Sequence, residues 1–145
     1  MNRSTLALSL SLALALTACA PKYSTEVIRA TSGPPRPFSP AVKANGFIFL
    51  SGQVGTDSTG RLVSGGIQPE TRQVMRNISD LLARSGSSID KVVKCTVFIL
   101  DMAEWPAMNE VYITFFKGPP PARSATGASG LALGARVEIE CIAAQ

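Results

Sequence analysis

The residues best suited to chemistry in this sequence are one arginine and a pair of glutamates near its carboxyl end. Arg123 lies in the segment PPPARSATG, where prolines and small residues surround it, and Glu138 and Glu140 lie in VEIEC. Two carboxylates on one strand face beside an arginine are costly to bury, which makes these three residues candidates for a functional site. The alternative is a structural ion pair, which contributes little to stability when it is exposed.

Two strands predicted over residues 121–127 and 136–143 carry these side chains and are joined by the small-residue loop ASGLALGA. If the strands form a hairpin centred on that loop, Arg123 and Glu138 stand directly opposite each other. Opposed residues of an antiparallel pair share a face, with Cβ atoms about 5 Å apart. We therefore expect Arg123 and Glu138 to project together, with Glu140 on the same strand face as Glu138. A register slip of one residue would separate the pair.

The composition excludes several other kinds of site. The sequence has no histidine, which removes Ser-His-Asp triads and histidine-based metal centres. Its three cysteines show no paired CxxC spacing, so a structural zinc site is not expected. The net charge of +4 comes from dispersed lysines and arginines with few aromatic residues, which disfavours a nucleic-acid partner. A chain of 145 residues has the length of one domain.

The first residues predict an export signal and a lipid anchor. A basic start precedes the apolar run LALSLSLALAL (6–16), which is shorter than the roughly 20 residues of a membrane-spanning helix. This pattern is typical of a signal peptide, here residues 1–18. The segment LTAC resembles a bacterial lipobox ending in Cys19, whose thiol would carry the lipid; the alternative is an ordinary secretory signal. Because Ala20 replaces the aspartate of an inner-membrane retention signal, we expect a lipoprotein on the periplasmic face of the outer membrane.

The rest of the sequence predicts one α+β domain behind a tether. Residues 19–32 form the lipidated N-terminus and tether, and residues 33–145 form the domain. The predicted order is β-β-α-β-α-β-β, with a first short strand at 26–31, strands over 46–54 and 91–100, helices over 68–85 and 101–116, and the two final strands. This order indicates a sheet with two helices packed on one face. The other sheet face is also apolar, and exposed apolar surface marks an interface, so we expect an oligomer.

Several segments together resemble the RidA (YjgF) family of imine and enamine deaminases. PARS is followed at the family's distance by VEIE, FLSGQ lies upstream, and KCTVFI and LDM lie between them. The resemblance covers residues 33–145. It implies a chorismate-mutase-like α+β fold and a homotrimer whose sheets line a central β-barrel, with active sites in clefts between subunits.

The resemblance also implies an activity and a set of site residues. RidA enzymes hydrolyse 2-aminoacrylate and related 2-imino acids to 2-keto acids and ammonia, without a metal or cofactor. Arg123 matches the arginine that grips the substrate carboxylate, and Glu138 matches the glutamate that positions water and shuttles protons. Ser51, Gly52 and Asn109 match residues that line the substrate cleft.

Two positions depart from the family's commonest pattern. Phe38 stands where many members have a tyrosine, and Ala125 stands where many have a cysteine. Both changes make the predicted substrate pocket more apolar, and the first removes a hydroxyl group. The alternative to a deaminase is therefore a non-catalytic module that binds a small carboxylate or a protein partner on a trimeric lipoprotein.

Four further residues carry structural expectations. Cys95 and Cys141 lie in predicted core strands, where they are expected as buried small apolar residues. In an oxidising compartment they could instead form a disulfide, provided that their strands are neighbours. Trp105 and Tyr112 lie on the second predicted helix and are expected to pack rather than to bind.

Overall fold

A computed structural model describes residues 24–31 and 35–145, in which seven strands form one sheet and two α-helices pack against it. The strands are β1 (Thr25–Ile28), β2 (Ala41–Ala44), β3 (Phe47–Leu50), β4 (Gln53–Val54), β5 (Val92–Ile99), β6 (Ala122–Gly127) and β7 (Val137–Ala144); the helices are α1 (Ile67–Arg84) and α2 (Trp105–Tyr112). This is the α+β architecture that the sequence predicts. In the described residues, neither helix is long and apolar enough to span a membrane. The predicted signal peptide lies outside these residues.

The strand order is β1-β2-β3-β7-β5-β6, and β4 also pairs with β7. The β5–β6 pair is parallel, and all other pairs are antiparallel. Parallel neighbours need a long crossover connection, and α2 lies in the segment that joins β5 to β6. The predicted hairpin of the last two strands is therefore wrong. The chain from β6 passes the end of β5 and returns as β7 on the other side of β5.

Helix α1 follows the predicted apolar periodicity closely. The sequence predicts it over 68–85, and it spans Ile67–Arg84 with Pro69 in its first turn. Apolar residues at helical spacing form its buried face, namely Val74, Ile78, Leu81 and Leu82. Gly86, at φ +81°, follows the helix end in the left-handed conformation that glycine adopts without strain. Burying each of these large apolar side chains contributes roughly 1.5–3 kcal/mol, which fixes α1 against the sheet.

The second helix is shorter than the predicted 101–116. Asp101 is the N-cap of the turn that precedes it, because its side chain accepts a hydrogen bond from the Ala103 backbone N–H at 2.9 Å. A 3-10 turn follows, then α2, and then a second 3-10 turn over Ile113–Phe115. Pro106 lies in the first turn of α2, where its missing N–H costs no helical hydrogen bond.

The N-terminal part of the sheet contains a strand that the sequence analysis missed. The region predicted as one strand over 46–54 is two strands, β3 and β4, and β2 precedes them. Asn45 and Gly46 form the turn between β2 and β3 with φ values of +48° and +82°. Strand β1 lies within the predicted tether, where a short strand was considered at 26–31.

The two faces of the sheet differ sharply. Alternate residues of β5 and β7 face the helices and are buried, namely Cys95, Val97, Ile99, Val137, Ile139 and Cys141. Cys95 and Cys141 are directly paired in the β5–β7 register and form a disulfide, rather than remaining separate buried thiols. The opposite face, called the open face here, carries Lys94, Glu138 and Glu140 together with Phe47 and Phe49, which are 43% and 44% exposed.

Candidate active site

Arg123 lies on the edge strand β6, on the side of the sheet that faces the helices. Its register partner on β5 is the buried Cys95. Its guanidinium carbon lies 4.7 Å from the centroid of the Tyr112 ring on α2. A cavity of about 540 Å³ surrounds the two side chains and is also lined by Asn109 and Pro121. Within the part of the chain that the structure describes, no hydrogen bond or ion pair engages the Arg123 side chain.

Two buried polar atoms lie beside this arginine without a hydrogen-bond partner. They are the Asn109 Oδ1 and the Tyr112 hydroxyl, on successive turns of α2. Burial raises the pKa of Tyr112 to about 12, and the nearby Arg123 charge lowers it by a smaller amount. The phenol, which is neutral at physiological pH in any case, therefore stays neutral further into the alkaline range. A buried polar group without a partner costs roughly 1–3 kcal/mol, so these atoms indicate a surface that is completed by a ligand or another chain.

Glu138 lies in a different cavity of about 440 Å³, which Phe38, Ser51 and Gly52 also line. Strand β4 holds the preceding segment, Ser51 and Gly52, close to the carboxylate, because Val54 is the register partner of Glu138. The Ser51 hydroxyl donates a hydrogen bond to the Ser39 carbonyl at 2.7 Å, so it holds the loop that carries Phe38. Phe38 itself is 52% exposed.

Gly52 is the position where the backbone comes closest to Glu138. A Cβ atom placed on Gly52 would lie 2.8 Å from the carboxyl carbon of Glu138 and 3.0 Å from its Cγ. Such contacts are too short for carbon atoms, so a larger residue would displace the carboxylate. The glycine of the FLSGQ segment therefore leaves room for the Glu138 side chain in this cavity.

Arg123 and Glu138 do not project together within one chain, contrary to the prediction. Along β5, Arg123 is paired with Cys95 and Glu138 is paired with Phe98. Cys95 and Phe98 are an odd number of residues apart and so point to opposite sheet faces. Strand β5 also separates the two side chains laterally, by two strand spacings or roughly 10 Å. The prediction failed because it assumed that β6 and β7 are neighbours.

The other predicted site residues divide between these two regions. Asn109 joins Arg123, whereas Phe38, Ser51 and Gly52 join Glu138. Ala125 is paired with Val97 on the face that Arg123 occupies, but it lines neither cavity. The predicted lipid attachment residue, Cys19, lies outside the described residues. In the described ranges, no three His, Cys, Asp or Glu side chains group as a metal site.

Sequence reasoning missed two residues that contribute to these cavities. Tyr112 packs in the core as expected, yet its ring face also supports the guanidinium of Arg123. The signal was available, since Asn109 and Tyr112 are three residues apart and share one face of a helix. Arg36 lines the Glu138 cavity, with its guanidinium carbon 6.0 Å from the Phe38 ring centroid. Its position in a proline-rich segment gave no periodic signal.

Comparison with known proteins identifies similar sequences and structures. Residues 29–145 match the family model described as Endoribonuclease L-PSP. A mouse protein named 2-iminobutanoate/2-iminopropanoate deaminase is 43% identical over 123 residues, which covers 83% of this chain and 91% of that protein. A crystal structure of a Rid-family protein from Yersinia pestis is 40% identical with a TM-score of 0.78, covering 84% of this chain and 100% of that one. The E. coli protein TdcF, solved with bound serine, is 28% identical with a TM-score of 0.76, covering 83% and 98%.

Proposed function

Because the chain belongs to the Endoribonuclease L-PSP (RidA) family, we propose that it hydrolyses reactive 2-imino and enamine acids to 2-keto acids and ammonia. The similarity to the mouse 2-iminobutanoate/2-iminopropanoate deaminase supports an enzyme of the deaminase type. The observation that carries the proposal is the guanidinium of Arg123. It lies in an open cavity beside buried polar atoms, and no hydrogen bond or ion pair engages it among the described residues.

Arg123 binds the substrate carboxylate in this account. A guanidinium presents N–H donors in a planar fork that matches a carboxylate, and the match is strongest away from bulk water. The serine bound to TdcF also carries a carboxylate, which supports a site of this class in a similar fold. Asn109 lies on the same cavity wall and can orient the substrate nitrogen or carboxylate.

Glu138 handles the proton transfers of hydrolysis. Water adds to the imine carbon of R–C(=NH)–COO⁻ while Glu138 takes a proton from that water and the nitrogen gains a proton. In the resulting carbinolamine, R–C(OH)(NH2)–COO⁻, the hydroxyl proton is transferred through Glu138 to the nitrogen as the C–N bond breaks. The products are ammonia and R–CO–COO⁻, so one water is consumed. An enamine such as 2-aminoacrylate enters the same route after protonation of its terminal carbon.

The two regions of one chain must be brought together by a second copy. Arg123 and Glu138 are on opposite faces of one sheet, so a single substrate cannot contact both within a chain. A ring of identical subunits joined head to tail places the Arg123 surface of each copy against the Glu138 cavity of the next. We assign this ring as a homotrimer with three composite sites, as the family resemblance implies.

The open face of the sheet supports this assembly. Phe47 and Phe49 on β3 lie half-exposed beside Ile142 of β7, which leaves a contiguous apolar surface on a single chain. Such a surface is stable when another chain covers it. A central barrel formed by the open faces of three sheets would bury these phenylalanines.

The export of the chain and its lipid anchor at Cys19 are also part of the proposal. The disulfide between Cys95 and Cys141 supports them, because disulfides persist in oxidising compartments and are rare in the cytosol. A periplasmic enzyme would need imines made on that side of the membrane. An amino-acid oxidase or dehydrogenase reaction is the class of chemistry that supplies them.

Semicarbazone trapping tests the activity. An amino-acid oxidase generates a 2-imino acid in the presence of semicarbazide, and a deaminase lowers the yield of semicarbazone. We expect the wild-type domain to suppress the trapped product, and Arg123→Ala and Glu138→Ala to lose the effect. A folded, assembled wild-type protein that suppresses nothing with several amino acids would contradict the activity and leave a carboxylate-binding module. Incubation with single-stranded RNA is the parallel control for the family's endoribonuclease description.

A further inference from the structure

The ring of Tyr112 forms a platform beneath the candidate substrate-binding arginine. The Arg123 guanidinium carbon lies 4.7 Å from the ring centroid, well within the range of a cation–π contact. The two residues come from different elements, since Arg123 is on the edge strand β6 and Tyr112 is in the last turn of α2. The contact therefore fixes the arginine relative to the helix layer.

The platform itself is held in place by packing. Tyr112 is 3% exposed and belongs to the main hydrophobic core. Its ring also contacts Phe116, with centroids 5.0 Å apart and planes inclined at 53°. A buried ring with an aromatic neighbour has few alternative orientations, so it offers the guanidinium one fixed surface.

The contact leaves the charge of Arg123 uncompensated. Glu110 is the carboxylate that lines the same cavity, and its Oε2 accepts a hydrogen bond from Gln68 at 2.8 Å. The Tyr112 phenol adds no charge at physiological pH, since a phenol ordinarily titrates near pH 10 and burial raises the pKa of Tyr112 further, to about 12. An ion pair with a protein carboxylate would occupy the guanidinium N–H groups, whereas an aromatic face contacts the flat side of the group and leaves its edge donors available.

We propose that Tyr112 is a positioning residue, which holds Arg123 by its ring face so that the guanidinium edge is presented to the substrate carboxylate. This inference rests on the function proposed above, in which Arg123 binds that carboxylate. Its effect is on binding, because the carboxylate is held in the ground state and in the transition state alike. Loss of the platform should therefore raise KM and leave kcat largely unchanged.

Tyr112→Leu and Tyr112→Phe separate the ring face from simple core packing. Leucine keeps a large apolar side chain but has no π face, so we expect KM to rise by roughly 3- to 30-fold, the range of a partly desolvated cation–π contact. Phenylalanine keeps the face and should return KM to near the wild-type value. An equal rise in both variants would assign the effect to the hydroxyl and overturn the proposal.

Phe116→Leu is the matched control. It removes a partly buried aromatic ring from the same cluster without removing the ring beneath Arg123, so it should lower the melting temperature and leave KM unchanged. If Phe116→Leu and Tyr112→Leu raise KM equally, the effect is a general loss of packing and the proposal fails. Replacing Tyr112 by phenylalanines with increasing fluorine content gives a graded test, since fluorination weakens the ring face at nearly constant shape.

Binding of pyruvate provides a readout that does not depend on turnover. Pyruvate is a 2-keto acid with the carboxylate that Arg123 is expected to hold, and its affinity can be measured by calorimetry or NMR titration. A wild-type protein that binds pyruvate but shows no deaminase activity would contradict the proposed activity. The positioning role of Tyr112 could still be tested through pyruvate affinity. If wild type binds and Tyr112→Leu binds equally well, the platform alone is wrong. If assembled wild type binds no pyruvate, both inferences are contradicted.

Discussion

Arg123 and Glu138 lie on opposite faces of one sheet, with strand β5 between the strands that carry them. Each has its own cavity, and each cavity contains a different set of neighbours. A site that uses both residues must therefore be shared between two copies of the chain. The predictions below concern the stability of this arrangement, the position of each residue and the assembly that would unite them.

The disulfide should contribute much of the stability of the sheet. It joins residues 46 apart in the chain, and closing a loop of that size stabilises a protein by about 4 kcal/mol in the chain-entropy description. We expect a reducing agent to lower the melting temperature of the protein by roughly 10–20 °C. A Cys95→Ala/Cys141→Ala variant should have a lower melting temperature than oxidised wild type, and the reductant should not change it. Equal melting with and without reductant in wild type would contradict a structural disulfide.

Gly52→Ala should impair activity by displacing the Glu138 carboxylate, since the added Cβ would lie 2.8 Å from its carboxyl carbon. We expect kcat to fall roughly 10-fold or more, because a misplaced general base loses most of its contribution. Gly118→Ala is the control, since a Cβ there would have no neighbour within 4 Å. Adding Gly52→Ala to Glu138→Ala should lower kcat little further. A fully additive loss of kcat would show that Gly52 does not act through Glu138.

Local patterns were sufficient to predict several elements correctly. The buried face of α1 and the alternation of VEIEC follow directly from helix and strand periodicity. The missed strand β2 had a signal in Asn45-Gly46, a dipeptide typical of tight hairpin turns. The predicted strand starts at residue 46 and so does not use this signal.

The strand order could not be predicted from local pattern. Whether β6 pairs with β7 or with β5 depends on where the chain packs α2 after it leaves β5, which is a long-range choice. Consequently the sequence identified Arg123 and Glu138 as candidates but placed them on the same face. The cavity that unites Phe38, Ser51 and Gly52 with Glu138 was anticipated from the family resemblance rather than from periodicity.

Tyr112 should make the folded state sensitive to strongly alkaline pH. Burial raises its pKa to about 12 from the usual 10.0, so the folded protein retains this proton at pH values where the unfolded chain loses it. The stability linked to this proton is fully present below pH 10 and is lost as pH rises toward 12. We expect the free energy of unfolding to fall more steeply over this range in wild type than in Tyr112→Phe. Parallel curves for the two proteins would contradict a buried phenol that resists ionisation.

Phe49 tests the role of the open face in assembly. Its ring is 44% exposed in a single chain, so a charged substitution there should leave the fold of one subunit intact. We expect Phe49→Asp to shift the protein from trimer to monomer in light scattering after size exclusion, because a carboxylate inside the barrel would be desolvated. Phe49→Leu keeps the apolar surface and should remain trimeric. A trimeric, fully active Phe49→Asp protein would show that the open face lies outside the interface.

Subunit mixing tests the shared site most directly. Arg123→Ala and Glu138→Ala proteins, each inactive alone, are unfolded, mixed in equal amounts and refolded, and mixed assemblies are verified by native mass spectrometry. In a head-to-tail ring, each interface takes Arg123 from one copy and Glu138 from the next. After random assembly, both residues are intact at about a quarter of the interfaces, so about a quarter of wild-type deaminase activity should return. Arg123→Ala mixed with the Arg123→Ala/Glu138→Ala double variant should remain inactive. Mixed trimers without recovered activity would contradict a site built from Arg123 of one copy and Glu138 of the next.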